Sequence, residues 1–180
     1  MTAIDEWLPQ YQVSARYSIL VRASGEKTYA ALKHVDFSDL PIVRGLMRLR
    51  GYRIGSGQTP EAKARGGVRG SFIELAEVPQ REVVLGIAGR FWKPDGGIVR
   101  GLTAAEFADF HREGYAKAVW SFSLTHPDGG TRLTTETRVQ TFGRSTTLKF
   151  RAYWLFVSPF SGVIRRAMLR EVKQVAEQPA

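Results

Sequence analysis

The chain contains no cysteine, which excludes disulfides, thiolate zinc sites, iron–sulfur clusters and a cysteine nucleophile. Histidine is scarce: there are three, His34, His111 and His126. His34 falls near the expected C-terminus of a helix, where a partial positive charge is favoured. His126 belongs to the turn-forming run His126-Pro127-Asp128-Gly129-Gly130. Asp109, His111 and Glu113 come nearest to a ligand cluster, but their i, i+2, i+4 spacing does not put all three on one helical face. No metal and no cofactor are expected. Phosphate-loop and nucleophile chemistry are missing too. Gly55-Ser56-Gly57 lacks the Gly-Lys-Ser/Thr ending, and Ser56 and Ser161 lack a nucleophile elbow. Gly86-Ile87-Ala88-Gly89 lies inside a strand pattern, where small residues mark a bend or close packing. The longest apolar stretch near the C-terminus is interrupted by Ser158, Pro159, Ser161 and Gly162, so no bilayer span is expected. Met1 to Gln10 has no basic start leading into an apolar run, so no signal peptide is read there and a cytoplasmic location is expected.

What is present is a soluble, globular composition: 180 residues, 43% apolar and 24% charged. That length accommodates one domain over residues 1–180 with a core of its own; residues 1–9 and 177–180 are expected to fray. The net charge of +9 is localised. Arg44, Arg48, Arg50, Arg53, Lys63, Arg65 and Arg69 face only Glu61 between Leu40 and Gly70. A second basic segment, from Arg144 onward, holds Lys149, Arg151, Arg165, Arg166, Arg170 and Lys173 against Glu171 and Glu177. Such clustering suits either solvated helix faces or an anionic membrane surface. The aromatics are not interleaved with these arginines, so no specific nucleic-acid partner is expected.

Periodicity places the elements. Tyr11, Val13, Ala15, Tyr17, Ile19 and Val21 alternate with polar residues and predict a strand with one wet face. Ser24 then caps a helix carrying Tyr29, Leu32 and Val35, and a second short helix is expected after Ser38 or Asp39. Residues 52–70 read as a mobile loop. Ser71 to Val78 and Arg81 to Trp92 predict one hairpin, Tyr115 to Thr125 and Thr131 to Phe142 another. Thr103 with Glu106 forms a capping box for a short helix between them. The last third turns helical, with a break expected at Ser158-Pro159. Beyond it Phe160, Ile164, Met168 and Val172 should face the sheet, and Arg165, Arg166 and Arg170 should face water.

Aromatic residues are concentrated on the later strands and the start of the final helix, where they can fill a core or line a cavity. Glu136 and Arg138 share a strand face. They are read either as a surface charge arrangement or as a buried pair that orients a ligand.

The order strand, two helices, strands, long terminal helix resembles the helix-grip fold of the START-like, polyketide cyclase/dehydrase and lipid-transfer superfamily (SRPBCC). The similarity is carried by Tyr17 to Leu32, Glu82 to Gly86, Gly89-Arg90-Phe91-Trp92, Tyr115 to Trp120, Leu133 to Val139, Tyr153 to Pro159 and Ile164-Arg165-Arg166. It is greatest to a bacterial subgroup with no agreed catalytic motif. The resemblance implies an α+β fold, a curved antiparallel β-sheet wrapped around a long C-terminal helix, with two short helices after the first strand. It implies a cavity more strongly than a reaction. The expected function is binding or transfer of a small hydrophobic or aromatic ligand between sheet and helix. The expected pocket residues are Tyr17, Phe91, Trp120, Phe122, Thr135, Thr137, Phe150, Tyr153 and Trp154. A polyketide cyclase- or dehydratase-like enzyme is the alternative, with Tyr17, Tyr153, Arg90, Glu136 and Arg138 as its acid, base or enolate-stabilising groups. The weight falls on binding rather than catalysis, and no catalytic residue is assigned.

Overall fold

A computed structural model describes residues 2–35, 72–93 and 97–178. The elements run α1 (Ala3–Trp7), β1 (Val13–Val21), α2 (Gly25–His34), β2 (Ile73–Val78), β3 (Glu82–Gly89), α3 (Ala104–Ala108), β4 (Ala116–Thr125), β5 (Thr131–Thr141) and α4 (Arg144–Ala176). The expected second short helix and the 52–70 loop lie outside the described residues.

The five strands form one antiparallel sheet in the order β1-β5-β4-β3-β2. A helix-grip architecture results, as expected, with α4 laid across one face of the sheet. β1 lies at one edge of the sheet and alternates: Val13, Ala15, Tyr17 and Ile19 are partly buried, Val21 is buried, and the intervening residues are exposed. The two hairpins follow the turn chemistry. Gln80 takes a positive φ between β2 and β3, while Gly129 and Gly130 do so between β4 and β5. Ser24 accepts a hydrogen bond from the Lys27 amide and caps α2, and Thr103 with Glu106 closes the capping box of α3.

Two layers of core sit on the two faces of the sheet. On the α4 side, Val21, Leu32, Phe122, Leu124 and Leu133 pack on Met168, Leu169 and Val172. On the other side, Val84, Val119 and Leu75 pack on Phe107 of α3 and on Ile4 and Leu8. That second layer corrects one expectation. The N-terminal residues read as fraying instead form α1 and bury Ile4 and Leu8 against the convex face.

Arg138 holds this segment down. It pairs with Glu136 at 2.7 Å and Asp5 at 2.8 Å, donates to the Leu8 carbonyl at 3.4 Å, and lies over the Tyr11 ring. Burial alone would lower its pKa, but the hydrogen bonds to Glu136 and Asp5 outweigh that and raise it. Asp5 in turn accepts from the Thr2 hydroxyl at 2.7 Å and the Thr2 amide at 2.9 Å. These bonds, and then Arg138, hold its carboxyl well below the usual carboxylate range. A depressed carboxylate contributes stability above its unfolded pKa and loses that contribution as pH falls through the folded value. Wild type should therefore lose stability progressively below about pH 4, and Asp5→Asn should flatten that acid limb. Chemical denaturation across pH 2–7 checks this; parallel curves for the two proteins would refute it.

The terminal helix differs from the sequence reading in two ways. First, α4 runs unbroken from Arg144 to Ala176 with Pro159 inside it. Proline removes one amide donor, but the turns on either side carry the helix through. Second, its inward face is rotated: Gly162, Met168, Leu169 and Val172 are buried, while Phe160 is 49% exposed. Gly162 lies at the contact with β1: a Cβ there would stand 2.7 Å from the Tyr17 hydroxyl, so a larger residue would have to displace that side chain.

Candidate functional site

Register assembles the concave face in two rows. One runs Ala15, Thr137, Trp120, Leu85, Glu74; the next runs Tyr17, Thr135, Phe122, Val83, Glu77. The bulge between Glu74 and Ala76 is what brings both glutamates to this face, since an uninterrupted strand pairing at Ala76 would turn one outward. Between these rows and α2 lies a cavity of about 70 Å³, lined by Leu32, Lys33, Glu74, Val83, Leu85, Trp120 and Phe122. Its walls are mainly apolar, with one carboxylate and one ammonium at the rim.

Trp120 is the hub. Its indole Nε1 donates to the Thr135 hydroxyl at 2.7 Å, and its ring meets Phe72 edge-on at 5.6 Å and Phe122 at 5.0 Å. The Arg165 guanidinium lies 3.9 Å from the Trp120 ring centroid and donates to Thr135 at 3.4 Å. Arg165 was expected to face water. The rotation of α4 turns it inward instead, and the Trp120 face gives its flat guanidinium a stacking surface. Among the described residues no carboxylate stands within ion-pair distance of it. Desolvation pushes its pKa down to about 9, partly countered by Tyr17. Arg166, one residue on, is exposed and lies over the Tyr17 ring at 4.9 Å.

The rim is tied shut between α2 and β2. Tyr29 donates its hydroxyl to Glu77, and Lys33 pairs with the same carboxylate at 2.7 Å. Burial first, then the hydrogen bond to Glu77, pushes the Tyr29 phenol up to about 12.

The nine expected pocket residues fall in two places. Tyr17, Trp120, Phe122, Thr135 and Thr137 share the two concave rows, and Trp120 and Phe122 line the cavity. Phe91, Phe150, Tyr153 and Trp154 gather instead at the other end of the sheet, around Ala116 and Val139. There Phe150 packs against Trp92, Tyr153 and Trp154 with centroids 6.1, 5.7 and 6.0 Å apart. Glu136 and Arg138 do not orient a ligand in this cavity. They project from the convex face, where the even-numbered residues of β5 point; Glu136 pairs with Arg138, and Arg138 binds the N-terminal segment. Arg90 lies over the Tyr115 ring at 4.3 Å, so the candidate acid–base groups do not converge. Among the described residues no group of three His, Asp or Glu side chains is placed to hold a metal ion. Asp109 and His111 meet only through the Asp109 carbonyl and His111 Nδ1. No described helix is long and apolar enough to cross a membrane.

No family model matches the chain, and no curated protein matches it in sequence. Among solved structures it is similar to the di-domain ARO/CYC BexL of the BE-7585A biosynthetic pathway. That likeness has a TM-score of 0.43 at 12% identity, covering 93% of this chain and 51% of that one. The di-domain ARO/CYC StfQ of the steffimycin pathway gives 0.39 at 14% identity, over 92% and 50%. TTHA0849 from Thermus thermophilus gives 0.36 at 9% identity, over 91% and 97%. The chain thus spans about half the length of the two di-domain proteins.

Proposed function

We propose that the chain binds a small aromatic or hydrophobic ligand bearing an anionic oxygen, held on the Trp120 and Phe122 face of the sheet between the cavity beside α2 and Arg165 of α4. The observation that carries this reading is Arg165. A guanidinium stacked on Trp120, with no described carboxylate to pair with, costs stability where it stands. Partly desolvated charge of this kind is a recurrent mark of a binding site, because the low local dielectric strengthens its attraction to an anion. Trp120, Phe122, Val83 and Leu85 supply apolar surface beside it, at roughly 25 cal/mol per Å² buried before the costs of association.

At about 70 Å³ the cavity has room for a few water molecules and falls short of the about 150 Å³ that takes a benzene. Ligand entry therefore requires movement. The rim contacts from Tyr29 and Lys33 to Glu77 are the ones that separation of α2 from β2 would break.

A thermal-shift panel of fatty acids, sterols, aromatic carboxylates and polyhydroxylated aromatics tests the reading. Aromatic acids should raise the melting temperature of wild type. Arg165→Met should weaken that binding by at least about tenfold, the worth of one charge-assisted hydrogen bond. The same substitution should leave the unliganded protein's stability unchanged or raise it by roughly 1 kcal/mol, as when a buried ion gives way to an apolar side chain. A panel without any stabilising ligand would refute the proposal, and so would undiminished binding by the Met variant.

A further inference from the structure

We propose that the first half of α4 is a docking surface for an anionic lipid bilayer, lying in the plane of the membrane interface. This does not depend on the cavity. Eight large apolar side chains are exposed among the described residues, and five of them are on α4: Leu148, Leu155, Phe156, Phe160 and Val163. Leu155 and Phe156 are each 76% exposed and Leu148 68%, so these residues are presented to the surroundings rather than grazing them. Their spacing wraps one side of the helix, the signature of an amphipathic segment whose apolar side is unpartnered by the sheet.

Charge identifies the occupant. From Arg144 to Arg170 the helix carries six cations and no acidic residue. Arg144, Lys149, Arg151, Arg166 and Arg170 are exposed, and none has a described carboxylate in ion-pair range. The C-terminal half is built differently. Leu169, Val172 and Ala176 are buried there, and Lys173 pairs with Glu177 at 3.0 Å. Apolar exposure and unpaired positive charge therefore coincide between Arg144 and Arg170, and in the first half Arg144, Lys149 and Arg151 stand among Leu148, Leu155, Phe156 and Phe160.

A second copy of the chain could cover the apolar stripe, but a symmetric contact would set the same cations against each other. Nucleic acid would answer the charge, yet its phosphates and sugars leave Leu155 and Phe156 without an apolar partner. An anionic bilayer answers both: acyl chains receive the stripe and headgroups receive the arginines and lysines.

Vesicle co-sedimentation of the full chain tests this, using phosphatidylcholine with and without phosphatidylglycerol at low and high salt. Binding should require phosphatidylglycerol and fall as salt rises. Lys149→Glu with Arg151→Glu should weaken it roughly 25-fold or more, about fivefold for each positive charge removed. Leu155→Asp with Phe156→Asp should weaken it at least about tenfold while leaving the circular-dichroism melt in place, because both side chains are exposed. Should that variant misfold, the charge variant alone decides. Equal binding to neutral vesicles overturns the proposal, as does indifference to salt. So does a concentration-dependent dimer that the Leu155 and Phe156 substitutions dissolve without any vesicle binding. Binding to a duplex oligonucleotide in place of vesicles overturns it as well.

Discussion

Phe107→Ala is expected to destabilise the protein by about 3–5 kcal/mol, the range for deleting a fully buried aromatic side chain. Phe107 is 0% exposed and is the central side chain of the convex layer, among Ile4, Leu8, Leu75, Val84 and Val119. The backbone beneath it leaves no slack. A Cβ on Gly86 would lie 3.0 Å from the Phe107 ring, so the ring rests directly on the strand. Lys117 makes the site costlier to disturb. It is buried, donates to the Ala108 carbonyl at 2.9 Å and stands 5.5 Å above the Phe107 ring. Desolvation lowers its pKa, partly countered by Asp109, so this ammonium is already poorly hydrated and loses a π-face when the ring is removed. Helix α3 has five residues, too few to persist without its anchor, so both the helix and its capping box should loosen. Urea denaturation measures the loss. Phe156→Ala, which removes the same ring from an exposed position, should change stability by no more than about 0.5 kcal/mol. Similar losses for the two variants would mean that the convex layer is not a core.

The contrast between these two phenylalanines marks where sequence reading stops. The elements were legible because their signals are local. Alternation on β1, the Ser24 cap, the Thr103 and Glu106 box and the glycine turn each act within a few residues. The site was less legible because its geometry is set by long-range register. Trp120, Phe122 and Thr135 could be named from alternation, whereas Glu74 reaches the concave face only through a bulge that no periodicity announces. Arg165 shows the same limit on a helix. It follows Ile164 directly, and an arginine beside three other basic residues reads as solvated. Its inward position depends on how α4 packs on the sheet, where Gly162 meets Tyr17, 145 residues away in the chain. The small pair Ser161-Gly162 was the available hint, read only as an interruption of an apolar run. Likewise Glu136 and Arg138 were correctly seen to share a face, but which face depends on the strand's partners and not on its own spacing.

Gly130→Ala is the second large effect expected, a loss on the order of 3 kcal/mol or more from backbone strain combined with a direct clash. Gly130 ends the turn between β4 and β5 with φ of +149°, a region that side chains other than glycine rarely occupy. Its neighbour on the far side is main chain. A Cβ would stand 2.2 Å from the Val21 carbonyl oxygen and 3.2 Å from the Val21 carbonyl carbon. No rotamer change relieves that contact, because Val21 pairs with Thr131 at the end of the β1–β5 ladder and is itself fully buried. Thr131 also donates its hydroxyl to the Ala23 carbonyl at 2.9 Å, fixing the chain just beyond β1 against the same turn. Relief must come from shifting that end of β1 away from β5, which would strain the start of α2 as well. Gly129, with φ of +87° and open space around its Cβ position, provides the control. Gly129→Ala incurs only the left-handed backbone penalty, about 1–2 kcal/mol. Thermal denaturation of the two variants should rank Gly130→Ala clearly below Gly129→Ala. Equal melting temperatures would show that the turn yields freely, and the close packing of β1 against it would then contribute nothing to the fold.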